Sequence, residues 1–218
     1  MTLSLRTAAI VFAGIMFVSH ASVVVADDWV VLFDGATLDG WVQRGGAAKY
    51  EVAGEAIVGH AVKGTPNSFL CTPRNYGDFE LELEFQVHPE LNSGIQVRSN
   101  SLEDYKNGQV HGYQVEIDPS ARAWTAGIYD EGRRGWLFDL SQNEAARSAF
   151  RQNEWNRVRI VCRGNSIRTW LNDVPAADLT DDLTDSGFIA LQVHGTDSDE
   201  PMTIQWKNIR LKELTAEE

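Results

Sequence analysis

The segment Gly112–Asp118, Gly-Tyr-Gln-Val-Glu-Ile-Asp, carries the side chains of this chain that are best suited to chemistry. In a β-strand successive side chains point to opposite faces, so the apolar residues share one face and the polar residues share the other. The polar residues are Gln114, Glu116 and Asp118. Two carboxylates about 7 Å apart on one face could serve as base and acid at the floor of a groove. A solvated strand face is the alternative, and this segment alone does not decide between them.

Two further segments with the same alternation supply complementary groups. Gln96 and Arg98 share the polar face of one predicted strand, and His194 ends the polar face of another. A guanidinium can stabilise an oxyanion, and an imidazole exchanges protons near neutral pH. If these faces converge on one concave sheet, a sugar could be bound and turned over there. The predicted catalytic residues are therefore Glu116, Asp118, His194 and Arg98.

Aromatic side chains near these strands could form a platform for a sugar ring, because an aromatic face packs against the C–H groups of a pyranose. Trp124, Tyr129 and Trp136 flank the segment 130–135, which we predict to be an exposed loop. For any single tryptophan, a place in the core is the alternative. The predicted substrate-binding residues are Gln96, Gln114, Tyr129, Trp124, Trp136, Trp170 and His111.

The elements that must position these residues are short strands separated by Gly, Asn, Asp and Pro turn signals, which indicate an all-β sandwich or jelly roll. Predicted strands cover 29–33, 50–53, 56–60, 68–71, 78–87, 93–98, 112–117, 125–129, 156–163, 166–171, 187–193 and 202–211. Arg163–Ser166 predicts a tight hairpin turn, since Gly and Asn accept positive φ. Gln142–Arg151 is the one convincing helical segment.

The first residues have the features of an export signal. Arg6 is their one charge, Ala8–Val18 is apolar, and Val24-Val25-Ala26 offers a cleavage site. The apolar stretch is short for a membrane span. We predict a signal peptide at 1–26, a single domain at 27–218, and a periplasmic or secreted location.

The charge of the chain limits its partners. The formal net charge is −12, and loss of Arg6 with the signal would make it −13. Such acidity argues against binding to nucleic acid or to an anionic membrane. We therefore expect a carbohydrate partner, with no nucleic acid and no membrane after signal removal.

The two cysteines, Cys71 and Cys162, could form a disulfide outside the cytoplasm. Cys162 shares parity with Val158 and Ile160, however, which favours buried and unpaired thiols. Two cysteines without paired spacing make no zinc motif. No cofactor is predicted with certainty, and the sequence leaves open whether the protein binds a divalent metal ion.

Motifs in order along nearly the whole predicted mature chain resemble the 3-keto-disaccharide hydrolase domain family. They are Leu32–Gly35, Leu38–Trp41, Asn92–Arg98, Gly112–Asp118, Gly127–Tyr129, Glu154–Asn156, Trp170–Asn172, Leu191–Gly195 and Trp206–Arg210. The resemblance implies a concanavalin-A-like jelly-roll β-sandwich of two antiparallel sheets. It also implies cleavage of glycosides already oxidised at C3, often by exported bacterial proteins.

That chemistry needs a base near C2, an oxyanion stabiliser at O3 and an acid at the glycosidic oxygen. We assign Glu116 or His194 as base, Asp118 as partner or metal ligand, and Arg98 as stabiliser. One alternative is a non-catalytic carbohydrate-binding module. Another is a retaining glucanase, but Pro119-Ser120-Ala121 lacks the further acid that its Glu-x-Asp-x-x-Glu motif requires.

Overall fold

The computed structural model describes residues 28–215, so the predicted signal peptide lies outside the described residues. The elements in chain order are β1 (Val30–Val31), β2 (Val42–Gly45), β3 (Lys49–Ala53), β4 (Ala56–His60), β5 (Ser68–Cys71), β6 (Phe79–Val87), β7 (Ser93–Asn100), β8 (His111–Ile117), β9 (Ile128–Glu131), β10 (Gly135–Phe138), α1 (Glu144–Arg147), β11 (Asn156–Arg163), β12 (Ser166–Leu171), β13 (Val174–Thr180), β14 (Phe188–Val193) and β15 (Thr203–Glu213). No helix in this described part is long and apolar enough to cross a bilayer.

The strands form two antiparallel sheets. The first has the order β13-β12-β11-β6-β15-β4-β3, with β1 paired to β15. The second has the order β10-β9-β8-β7-β14-β5-β2. This architecture confirms the predicted all-β jelly-roll sandwich.

The core lies between the sheets and follows the predicted alternation. On β6, the apolar residues from Phe79 to Val87 are buried, and those of β8 meet them from the second sheet. Each large side chain buried in this way stabilises the fold by roughly 1.5–3 kcal/mol. The glutamates of β6 point outward and pair with cations, for example Glu82 with Arg157 and Arg210. They are therefore charges of the outer face.

The local predictions have different outcomes, and one of them is wrong. Arg163 and Ser166 close the β11–β12 hairpin as expected. The predicted helix is shorter, covering Glu144–Arg147. The segment 130–135 is not an exposed loop, because it belongs to the β9–β10 hairpin and its Asp130 is fully buried against Arg133 and Arg134.

The two thiols behave as the strand parity predicts. Cys71 and Cys162 are both buried and unpaired. Burial raises the pKa of each thiol to about 12. They are small core residues and carry no reactive thiolate near neutral pH.

Candidate functional site

A hollow of about 450 Å³ lies on the face of the second sheet that points away from the core. Its lining combines carboxylates, amides, a histidine, an arginine and two aromatic rings. We call it the candidate hollow, and it is lined by Asn67, Asn92, Gln114, Glu116, Arg122, Tyr129, Glu131, Trp136 and His194. The hollow therefore brings together predicted catalytic and substrate-binding residues from β8, β9, β10 and the end of β14.

Glu116 is the most deeply buried carboxyl of the hollow, with 4% of its surface exposed. Its Oε1 accepts a hydrogen bond from Asn92 Nδ2 at 2.6 Å, and its Oε2 accepts one from Gln114 Nε2 at 2.7 Å. Burial raises the pKa of Glu116, although these two hydrogen bonds act in the opposite direction. A carboxyl with a raised pKa in a polar cleft is suited to proton transfer.

Asp118 does not line the candidate hollow, because its carboxylate holds together the loop that follows β8. Its two oxygens accept hydrogen bonds from Ser120 Oγ at 2.7 Å, Arg122 Nε at 2.7 Å and the Trp124 backbone N–H at 3.3 Å. Burial acts to raise the pKa of Asp118, but these hydrogen bonds outweigh it and the pKa is lowered. The structure thus corrects the predicted catalytic place of Asp118, since its carboxylate positions Arg122.

Arg122 covers the aromatic side of the hollow. Its guanidinium lies 4.8 Å from the ring centre of Trp124 and 5.0 Å from that of Trp136. Its Nη2 is 3.7 Å from Glu116 Oε1. Trp136 also packs edge-on against Tyr129, with ring centres 5.3 Å apart. Three of the predicted aromatics therefore form one cluster, and two of them line the hollow.

His194 and Glu131 lie near each other and form another wall of the hollow. His194 Nδ1 is 2.7 Å from the Gly195 carbonyl oxygen. Since a carbonyl can only accept, Nδ1 carries the proton and the neutral ring has its lone pair on Nε2. Burial raises the pKa of Glu131, and a hydrogen bond from Asn67 and the nearby His194 offset this only in part. The wall thus pairs an imidazole with a second, half-buried carboxyl.

Glu131, Asn67, Asn92 and Arg122 were not among the predicted site residues. Glu131 lies two residues after Tyr129 on β9, so strand parity could have placed both on the same face. It was missed because residues 130–135 were interpreted as an exposed loop. Asn67, Asn92 and Arg122 lie at strand ends or in loops, where no periodicity indicates a direction.

Arg98 is not in the candidate hollow, and this corrects its predicted catalytic place. A bulge interrupts the pairing of β7 with β8 after Val97, and Arg98 has a left-handed φ of 47°. The extra residue turns the strand by one position, so Ser99 takes the place beside Gln96. The Arg98 guanidinium instead donates to Gly77 O, Gly164 O and Asp78 Oδ1. It is a buried structural cation.

Two further predicted substrate-binding residues lie elsewhere. Trp170 is on β12 in the first sheet, where the Arg159 guanidinium is 4.4 Å from its ring centre. His111 is buried at the start of β8, with Nδ1 2.8 Å from Gln109 O and its ring 3.9 Å from that of Tyr105. Strand parity assigns a face but not a sheet, which is why Trp170 was misplaced.

The predicted amides lie directly beside the hollow. Gln96 is fully buried and its Nε2 donates to Gln114 Oε1 at 2.5 Å. Gly94 makes this arrangement possible, because a Cβ there would lie 2.5 Å from Gln114 Cδ. Of these two predicted residues, Gln114 lines the hollow and Gln96 supports it.

No group of three His, Cys, Asp or Glu side chains in residues 28–215 is arranged to hold a metal ion. Asp118, which the resemblance suggested as a metal ligand, has its oxygens occupied by Ser120 and Arg122.

Comparisons with known proteins agree with the β-sandwich fold and with a carbohydrate-related domain. The sequence profile of a family described as a 3-keto-alpha-glucoside-1,2-lyase-like domain matches residues 28–212. No curated protein matches the chain.

Three of the solved structures that share the fold illustrate the similarity. A protein from Parabacteroides distasonis, described provisionally as a glycosyl hydrolase, has a TM-score of 0.60 and 18% identity, covering 86% of this chain and 94% of that one. The carbohydrate-binding module CBM66 from Bacillus subtilis has a TM-score of 0.56 and 15% identity, covering 80% and 96%. A Bacillus subtilis protein of unknown function with a galectin-like fold has a TM-score of 0.59 and 12% identity, covering 85% and 94%. The profile match indicates a carbohydrate-active, glycosyl-hydrolase-like domain.

Proposed function

The chain belongs to the 3-keto-alpha-glucoside-1,2-lyase-like domain family, and we propose that it cleaves glycosides oxidised at C3 by removing the C2 proton and eliminating the C1 alkoxide. The main observation behind this proposal is that Glu116, Glu131 and His194 line one hollow. Trp136 and Tyr129 line the same hollow. Such a hollow combines proton-transfer groups with an aromatic platform for a sugar ring.

The reaction balances without an external oxidant. A ketone at C3 acidifies the proton on C2, and a base removes that proton to give an enolate. The enolate re-forms the C3 carbonyl, a C1=C2 double bond forms, and the C1–O bond to the leaving alkoxide breaks. The alkoxide takes a proton from an acid, and water then adds across the double bond to give the 3-keto sugar.

His194 is the proposed base. Its Nδ1–H bond to Gly195 O fixes the tautomer with the lone pair on Nε2, which is the form able to take a proton. The carboxyl of Glu131, in the same wall, stabilises the imidazolium that results.

Glu116 is the proposed acid, and Arg122 is the proposed stabiliser of the enolate oxygen at O3. Burial raises the pKa of Glu116, which favours a protonated carboxyl that can donate to the leaving oxygen. Asp118 and the rings of Trp124 and Trp136 hold the Arg122 guanidinium at the hollow. Arg122 therefore takes the role that the sequence suggested for Arg98.

We also propose that residues 1–26 direct export, so that the domain meets its glycoside in the periplasm or outside the cell. A neutral sugar is compatible with the acidic chain, whose formal net charge is −12.

The test compares a 3-keto-glucoside with the matching unoxidised glucoside, followed by product analysis by NMR. We expect cleavage of the keto compound alone, and a loss of about 100-fold or more in kcat for Glu116→Gln, because removal of a general acid costs about this much. Glu90→Gln, at an exposed loop position, is the matched control and should keep full activity.

Three other results would contradict parts of this proposal. Binding of both sugars without turnover of either would favour a non-catalytic binding module, which the CBM66-like fold also accommodates. Cleavage of the unoxidised glucoside would favour an ordinary glycosidase. Full activity of Glu116→Gln would remove Glu116 from the mechanism.

A further inference from the structure

A row of side-chain amides lies against the candidate hollow and ends on Glu116. Gln96 Nε2 donates to Gln114 Oε1 at 2.5 Å, and Gln192 Nε2 donates to the same oxygen at 2.8 Å. Gln114 Nε2 in turn donates to Glu116 Oε2 at 2.7 Å. Because Gln114 Oε1 already accepts two N–H groups, turning this amide over would place donor against donor.

Gln192 has an unpaired acceptor, which shows that its amide is oriented by Gln114. Gln192 is fully buried, and among the described residues its Oε1 has no hydrogen-bond partner. A buried acceptor without a donor costs free energy. Turning the Gln192 amide over would bring its oxygen against Gln114 Oε1, where two acceptors repel. Gln192 therefore keeps its N–H toward Gln114 and leaves its own oxygen unpaired.

The other end of the row is also fixed. Ser99 Oγ donates to Gln96 Oε1 at 2.8 Å. Turning the Gln96 amide alone would bring its oxygen against Gln114 Oε1, where two acceptors repel, so Gln96 keeps its N–H toward Gln114. Ser99 reaches this position because of the bulge at Arg98. A bulge that has no catalytic role of its own thus supplies the hydrogen-bond partner at the end of the amide row beside the hollow.

We propose that Gln96 and Gln192 are positioning residues that hold the amide of Gln114 with its N–H toward Glu116. In this orientation Gln114 can donate to Glu116 but cannot accept from it. A proton on Glu116 Oε2 is therefore not taken up by the row and remains available to a bound substrate. The use of that proton rests on the proposed function, whereas the orientation of the amides does not.

A consequence for protonation follows. If Gln114 were free to turn, its oxygen could accept a hydrogen bond from the protonated Glu116 carboxyl and would favour that form. Removing the Gln96 and Gln192 donors to Gln114 Oε1 should therefore raise the pKa of Glu116. The charged and titratable groups around Glu116 are Arg122 and Asp118 from the loop after β8, Glu131 from β9 and His194 after β14, and the variants below leave all of them in place.

The experiment is an NMR titration of the Glu116 carboxyl carbon, assigned by its loss in Glu116→Gln. In the double variant Gln96→Met/Gln192→Met, which keeps side-chain length, we expect the pKa of Glu116 to rise by about one unit, the size of a typical hydrogen-bond effect on a charged group. Gln205→Met, on β15 in the first sheet, is the matched control and should leave the titration unchanged.

A second variant keeps the test decisive if the double variant does not fold. Gln192→Met removes the unpaired acceptor, so it should fold at least as stably as the wild type and still raise the pKa of Glu116 by a smaller amount. A folded variant with an unchanged or lowered pKa of Glu116 would overturn the inference. The titration needs no substrate, so its failure is distinguishable from absence of turnover, which would overturn the proposed function instead.

Discussion

Replacement of Arg98 tests whether this residue is structural, as its contacts indicate. The Arg98 side chain is 1% exposed, and it donates to Gly77 O at 2.9 Å and Gly164 O at 2.7 Å. In Arg98→Met both carbonyls lose a charged donor, each worth about 1.5–3 kcal/mol. The ion pair with Asp78 adds little, because the Asp78 side chain is 41% exposed. The expected loss of unfolding free energy is about 3–6 kcal/mol.

Urea unfolding followed by tryptophan fluorescence measures this loss, and thermal unfolding should show a fall in Tm of about 10 °C. Arg168→Met, at an exposed position of β12, should change stability by about 0.5 kcal/mol or less. Turnover per folded molecule should be the same in Arg98→Met as in the wild type. Wild-type stability combined with lost turnover would refute the reasoning and return Arg98 to the reacting centre.

The remaining predictions concern other parts of the molecule. Trp136→Ala should weaken sugar binding about tenfold or more, whereas Trp170→Ala, in the other sheet, should leave it unchanged, as measured by calorimetry. Hydrogen bonds from Arg134 lower the pKa of Asp181 from 3.8 to about 2. The ionised Asp181 therefore stabilises the folded protein above pH 3.8, and this contribution is lost as the pH falls toward 2. Urea unfolding should show that Asp181→Asn loses less stability than the wild type over that interval. Cys71 and Cys162, with pKa values raised to about 12, should react with a thiol reagent at pH 8 only after unfolding.

The sandwich could be predicted from the sequence because burial imposes a period of two on its strands. On β6 and β8 the apolar residues face the core along the whole strand, and the polar residues face away. The short strands β2, β10 and β13 were not predicted, since their burial patterns show no strict alternation.

The site could be predicted only where alternation is uninterrupted. Glu116, Gln114 and Tyr129 lie in the hollow as their parity indicated. Arg98 does not, because a bulge changes the parity of β7 and neither bulged residue, Arg98 or Ser99, is a glycine or proline that would mark it. The direction of Arg122 depends on the hydrogen bonds of a loop, which no pattern in the sequence specifies.

The central claim is that the C2 proton leaves during cleavage, and deuterium incorporation tests it most directly. A 3-keto-glucoside is incubated with the protein in D₂O, and the sugar product is analysed by NMR and mass spectrometry. A control sample of the product alone measures uncatalysed exchange. Elimination followed by addition of water predicts one deuterium at C2, formed at a rate that falls in His194→Gln. Cleavage that leaves hydrogen at C2 would indicate direct displacement at C1 and would contradict the account.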